Sequence, residues 1–256
     1  MILFILEGKK REDYIFKSME YIYFPGKKDN VICSYGNNIY NLYKRLNEDG
    51  EDIASIILTK LLQDKEPGIT ENTHISDFAE VYLFFDYDNQ DQSSSDEKIN
   101  EMLNFFDDET GNGKLYISYP MIESIYYTKK LPDKNYYTYV YLLQPKMHFK
   151  TEANKFSDYK SFDFIAFRAK KNKLGKLHIE EPTPERVKQI TENWNLLQEQ
   201  NVCKANYICS KKNNMPQNKA QVSQKNIFEY QKLNYIQQKK EIAILNSFTM
   251  FLYDYF

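Results

Sequence analysis

The stretch Glu80-Val-Tyr-Leu-Phe-Phe-Asp-Tyr-Asp-Asn-Gln-Asp91 narrows the folds open to this chain more than any other. Val81 to Phe85 form an unbroken apolar and aromatic run, and Asp86 and Asp88 follow at once. A run this short and this apolar is expected to be a strand buried on both faces, as in a parallel sheet. In an extended chain alternate residues share a face. Asp86 and Asp88 are therefore expected on one side, with Tyr87 on the other. Two carboxylates at the end of a buried strand repel unless a cation or a shared proton compensates them. A divalent cation held by hard oxygen ligands, Mg²⁺ or Mn²⁺, meets that need. A solvated acidic loop, continued by Asn89 and Asp91, meets it too.

The chain opens on the same design. Ile2-Leu-Phe-Ile-Leu6 reads as a buried strand ending on Glu7-Gly8, where Gly8 permits close backbone approach. Ile15, Met19 and Ile22 then recur at helical spacing, predicting a helix over about Arg11–Tyr23 that stops at Pro25-Gly26. Asn30–Tyr35 predicts a second strand. Ile39–Leu46 and Ile53–Gln63 predict helices, and Ser95 is placed to cap another through Phe106. Lys114–Tyr119 predicts a further strand, and Pro120 is placed for the first turn of a helix carrying Glu123. This alternation predicts an α/β fold, a parallel sheet flanked by helices. Sites in such sheets gather beyond the carboxyl ends of the strands. Glu7, Asp86, Asp88 and Glu123 all fall there.

The second half reads differently. Residues 1–145 carry 25 acids against 15 Lys and Arg, whereas residues 146–256 carry 11 against 19. An acidic front and a basic back suit a metal site paired with a polyanion-binding surface, although lysines on solvated helix faces give the same count. The division expected is a catalytic domain over 1–145 and a basic, mainly helical region over 146–256, packed on it or inserted against it. In the second region Phe162–Arg168 reads as a strand or short helix, and Lys170–Lys176 as a basic turn. Thr183-Pro184 starts a helix with Val187, Ile190, Trp194 and Leu197 on its apolar side, and Trp194 is expected in the core. Asn213–Lys225 reads as a mobile loop, followed by an amphipathic helix over about 227–236. The apolar terminus from Ile242 to Phe256 must dock into the core or onto a partner. Three unpatterned cysteines fit a reducing cytoplasm and no zinc site. No run approaches a membrane span, and no glycine-rich phosphate loop is present.

Leu6-Glu7-Gly8 followed far downstream by Asp86-Tyr87-Asp88 resembles the Toprim domain of topoisomerases, primases, recombination mediators and overcoming-lysogenization-defect nucleases. Phe85–Asp88, Tyr119–Glu123 and Ala243–Leu252 resemble more specifically the small Toprim effectors of phage-defence systems, PARIS-type and related abortive-infection operons. The resemblance implies a metal-dependent nuclease acting on RNA or DNA, transfer RNA included. Glu7, Asp86 and Asp88 would be catalytic and hold Mg²⁺ or Mn²⁺, and Glu123 would be a further ligand for a second ion. It also implies an ABC-type or AAA-type ATPase partner and leaves a homo-oligomer open. The sequence departs from the pattern at Arg11, where many such nucleases carry a second acid; Glu12 and Asp13 follow it.

Lys9, Lys10 and Arg11 stand at a helix start where a phosphate can be held. Lys211, Lys212, Lys239 and Lys240 are expected to contact nucleic acid in the basic half. Two other functions stay open: a non-catalytic Toprim-like subunit of an ATPase complex, and an Asp-x-Asp phosphatase.

Overall fold

Five short apolar runs pair into one sheet. A computed structural model describes residues 1–26, 30–144, 148–159, 161–171 and 177–256. The strands are β1 (Ile2–Leu6), β2 (Asn30–Ser34), β3 (Glu80–Asp86), β4 (Asp107–Asp108) and β5 (Gly113–Ser118). Their order is β2-β1-β3-β5-β4. The first four neighbours run parallel, and β4 is antiparallel on the edge. Every residue of β1 is buried, and so are Val81 to Phe85, as the apolar runs require of strands covered on both sides.

The helices start where local chemistry places them. α1 (Arg11–Tyr23) buries Ile15, Phe16 and Met19. α2 (Ile39–Tyr43), α3 (Ile53–Gln63) and α4 (Asp96–Phe105) are capped by the side chains of Asn38, Asp52 and Ser95. α1 connects β1 to β2 in one direction, while α2 and α3 connect β2 back across β1 to β3. Right-handed crossovers put these two connections on opposite faces of the sheet.

The second half completes the first. β6 (Val140–Leu142) precedes α5 (Phe149–Phe156), β7 (Ala169–Lys171), β8 (Leu177–Ile179) and α6 (Pro184–Ser210). α7 (Gln224–Gln231) continues through one wide turn into α8 (Gln237–Lys239). β9 (Glu241–Ala243) pairs antiparallel with β6, and α9 (Ser247–Tyr255) closes the chain. On one sheet face Phe4, Tyr82, Phe84 and Tyr116 form an aromatic floor, and Phe251 of α9 stands on all four with ring centroids 4.9–5.8 Å away. Phe16 of α1 packs beside it on Phe4, Phe84 and Phe248. One apolar core thus runs from Ile2 to Leu252. The boundary drawn at 145/146 falls on residues outside those described, but the terminal helix of the basic region is part of the core beneath the sheet.

Several expectations change in detail. Pro120 does not stand in the first turn of a helix: Met121 is extended, and the helix that carries Glu123 is a short 3₁₀ helix over Ile122–Tyr126. Of the two readings of Phe162–Arg168, the short helix is the one formed, a single 3₁₀ turn over Phe162–Phe164. Of the basic turn Lys170–Lys176, residues 172–176 lie outside those described. Asn213–Lys225 is tied down rather than free-standing. It carries its own tight turn over Lys219–Val222, and Gln224 accepts the Ile117 N–H of the sheet at 3.2 Å. Trp194, by contrast, is fully buried as expected, and it donates Nε1–H to the Ile165 carbonyl at 2.9 Å.

If α9 is structural rather than a detachable tail, Phe251→Ala should cost about 3–5 kcal/mol in denaturant unfolding. The same change at exposed Phe105 should cost within about 0.5 kcal/mol.

Candidate functional site

The strand order decides which acids meet. The connection leaving β1 turns to one side and the connection leaving β3 to the other, so a crevice opens between the two carboxyl ends. Leu6 is in register with Phe84, which places Glu7 beside Phe85 and Asp86. The Glu7 N–H donates to the Phe84 carbonyl at 3.0 Å, and the Glu7 Oε2 accepts the Asp86 N–H at 2.9 Å. Two acids some eighty residues apart are thus joined by a direct hydrogen bond.

Asp86 is the last residue of β3, and the nearby Ile122 N–H partly offsets the rise in its carboxyl pKa. Beyond it the simple alternation ends. Asp88 adopts a left-handed backbone, φ 37°, a conformation that Asp tolerates better than most residues. Its N–H donates to the Pro120 carbonyl at 3.2 Å and its carboxylate accepts from Gln90. The face-sharing expected of an extended Asp86-Tyr87-Asp88 is therefore replaced by a turn, yet Asp88 still acts electrostatically on both Glu7 and Asp86. Tyr40 Oη fixes this turn by donating to the Tyr87 carbonyl at 2.7 Å.

A fourth acid joins them. Spacing from Glu7 leaves Glu12 and Asp13 equivalent, and the structure distinguishes Glu12. Its side chain folds back over Gly8. A Cβ on residue 8 would lie 2.3 Å from Glu12 Oε2, so only glycine leaves room. The signal in the sequence is Gly8 itself: a missing side chain beside a strand-end acid makes space for a second one.

Burial and mutual repulsion dominate this cluster. Glu7 is pushed from about 4.5 up to about 8, chiefly by burial, with Glu12 and Asp88 adding repulsion against the Asp86 hydrogen bond. Burial also raises Asp86, helped by Glu7, Glu12 and Asp88, and burial raises Glu12 and Asp88. Among the described residues no three His, Cys, Asp or Glu side chains stand converged as a metal-holding group. The donor chemistry does fit a divalent cation: hard carboxylate oxygens, adjacent, each costing free energy to ionise without a positive partner.

The other sequence candidates divide. Glu123 is buried, with its side chain 5% exposed, and Oε1 is engaged by Arg11 Nη1. Arg11 and Glu123 therefore neutralise each other at the edge of the cluster, where one was expected to hold phosphate and the other metal. Lys9 lies 3.5 Å from Asp64, and Lys10 is exposed. Lys211 and Lys212 follow the end of α6, Lys239 is the last residue of α8 and Lys240 follows it.

Two outcomes follow for the metal-free protein. Because the folded pKa of Glu7 exceeds its unfolded value, the native state binds more protons between about pH 4.5 and 8. Thermal stability should fall as pH rises through that window, and Glu7→Gln should flatten the slope. Gly8→Ala should keep unfolding free energy within about 1 kcal/mol, because only a flexible side chain is displaced. By moving Glu12 away it should lower the Glu7 titration point, read by carboxyl NMR, as Glu12→Gln does.

Compared with known proteins, the chain matches no family model, no curated protein and no solved structure.

Proposed function

We propose that this chain is a divalent-cation-dependent nuclease, hydrolysing phosphodiester bonds of RNA or DNA on a Toprim-like sheet. One observation carries the reading: Glu7, Glu12, Asp86 and Asp88 meet at the crevice between β1 and β3, and the largest side-chain charge effects on Glu7 and Asp86 come from other acids. Glu7, Asp86 and Asp88 would hold Mg²⁺ or Mn²⁺, with Glu12 beside them. When bound, such an ion polarises the scissile phosphate and activates water. Glu7 is suited to take the proton of an attacking water. Its Oε2 is anchored on the Asp86 N–H at 2.9 Å. The Asp86 backbone hydrogen bond and the left-handed turn at Asp88 hold the acids in place before substrate arrives.

The resemblance to phage-defence effectors extends the proposal to a toxic cytoplasmic role beside an ATPase partner. Among the described residues no helix is long and apolar enough to cross a membrane.

Labelled RNA and DNA incubated with the protein should be cut when Mg²⁺ or Mn²⁺ is added. Glu7→Gln and Asp86→Asn should each lower the rate by roughly 100-fold or more. The ion alone should raise the melting temperature of the parent at pH 8 and leave Asp86→Asn unmoved. Cleavage by both variants at the parent rate sinks the reading. Failure of the parent to cut, alone or with its ATPase, favours the interaction-subunit alternative.

A further inference from the structure

The eight lysines between Lys204 and Lys240 look alike in sequence, and the fold sorts them into two groups of four. Lys204 is fully buried and donates to the carbonyls of Tyr136 and Tyr139 at 3.1 and 2.5 Å. Lys219 holds the Asp254 carbonyl at 3.0 Å, Lys225 pairs with Asp107 at 2.9 Å, and Lys232 pairs with Glu229 at 2.7 Å. The other four, Lys211, Lys212, Lys239 and Lys240, are exposed, and none has an acid partner among the described residues.

Two of these are held close together. Lys211 ends α6 and Lys239 is the last residue of α8. Their ammonium groups sit 5.1 and 5.4 Å from the centroid of one ring, the buried Tyr235, and Lys211 also covers Tyr207 at 5.5 Å. Like charges sharing one aromatic ring repel, and partial burial together with Lys239 holds Lys211 below the ordinary lysine range. Lysines also offset the negative end of a helix. That accounts for one cation at each helix end, whereas each end here carries two. An anion lying across the pairs relieves the repulsion.

The patch lies on the same end of the sheet as the acids. Leu245 bridges Tyr119 antiparallel, so the chain from Lys240 to Leu245 arrives from beyond the carboxyl end of β5. The β6–β9 ribbon also touches the loop after Asp88: Gln90 Nε2 lies 3.4 Å from Tyr141 Oη, and Tyr141 is the strand partner of Ile242, two residues from Lys240. By contrast, Lys9 and Arg11 have acidic partners at the start of α1.

We infer that Lys211 and Lys239, clamped on Tyr235 and flanked by Lys212 and Lys240, bind the phosphate backbone of a nucleic acid and lead it to the acid cluster. This inference rests on the nuclease reading for the identity of the polyanion. Its test uses binding without divalent ions, so that cleavage plays no part.

Fluorescence anisotropy of a labelled single-stranded oligonucleotide, in EDTA, should show Lys211→Glu/Lys239→Glu binding about tenfold or more weakly than the parent. Its dependence of log K on log salt should be shallower by about 1.4, two phosphate contacts at about 0.7 each. Lys211→Gln/Lys239→Gln should move both quantities the same way by less, which separates charge from any loss of folding. Lys150→Glu/Lys188→Glu, at two exposed sites with the same change in net charge, should bind within about twofold of the parent. Equal weakening by that control, unchanged binding by the first variant, or parent binding to anionic lipid vesicles but not to oligonucleotide overturns the inference. Those results leave the nuclease reading to its own cleavage assay, and loss of cleavage in Glu7→Gln with intact binding leaves this inference standing.

Discussion

The hydrogen bond from the Asp86 N–H to the Glu7 carboxylate continues the β1–β3 ladder one step past the sheet. Much of the site geometry depends on it. Parallel pairing of Leu6 with Phe84 brings the two strand ends level, and the opposed connections leave the crevice between them open. A backbone N–H partly stabilises the Glu7 anion, but burial works against it more strongly. The cluster therefore carries protons at a pH where isolated carboxylates would be ionised. The cation proposed for this site would relieve that unfavourable state.

Placing acids this way requires a rigid platform, and the far end of the chain supplies part of it. Phe16 of α1 covers part of the aromatic floor of Phe4, Tyr82, Phe84 and Tyr116, and α9 covers the rest. Phe251 covers all four rings, while Asp254 accepts from the Tyr116 hydroxyl at 2.6 Å and lies 2.6 Å from Lys114 Nζ. The strand ends that present Glu7 and Asp86 are extensions of strands that α9 buries. The basic half is therefore part of the core on which the acidic half is built.

Charge follows the same division between support and presentation. Arg11 and Glu123, both candidates for the site, neutralise one another beside it. Lys204 caps carbonyls inside the core, and Lys219, Lys225 and Lys232 tie down surface elements. Polar groups with partners stabilise the fold locally, and the groups left crowded against their own kind, four acids and four lysines, sit at the carboxyl end of the sheet.

Much of the local structure was legible in the residues alone. β1 and α1 have the bounds that apolar runs and helical spacing predict, Ser95 caps α4 as expected, and the apolar terminus does dock. These features depend on neighbours within a few residues, so short-range periodicity determines them. The acids at strand ends were visible for the same reason. What only the tertiary structure decided is which of them meet. The left-handed turn at Asp88, the return of Glu12 over Gly8 and the pairing of Arg11 with Glu123 depend on contacts made after the crossovers are in place. So does most of the sorting of the lysines, because Lys204, Lys219 and Lys225 meet partners tens to more than a hundred residues away, whereas Lys232 pairs with Glu229 three residues back. The chain itself determined strands tipped with carboxylates; the order in which those strands lie side by side turned separate tips into one cluster.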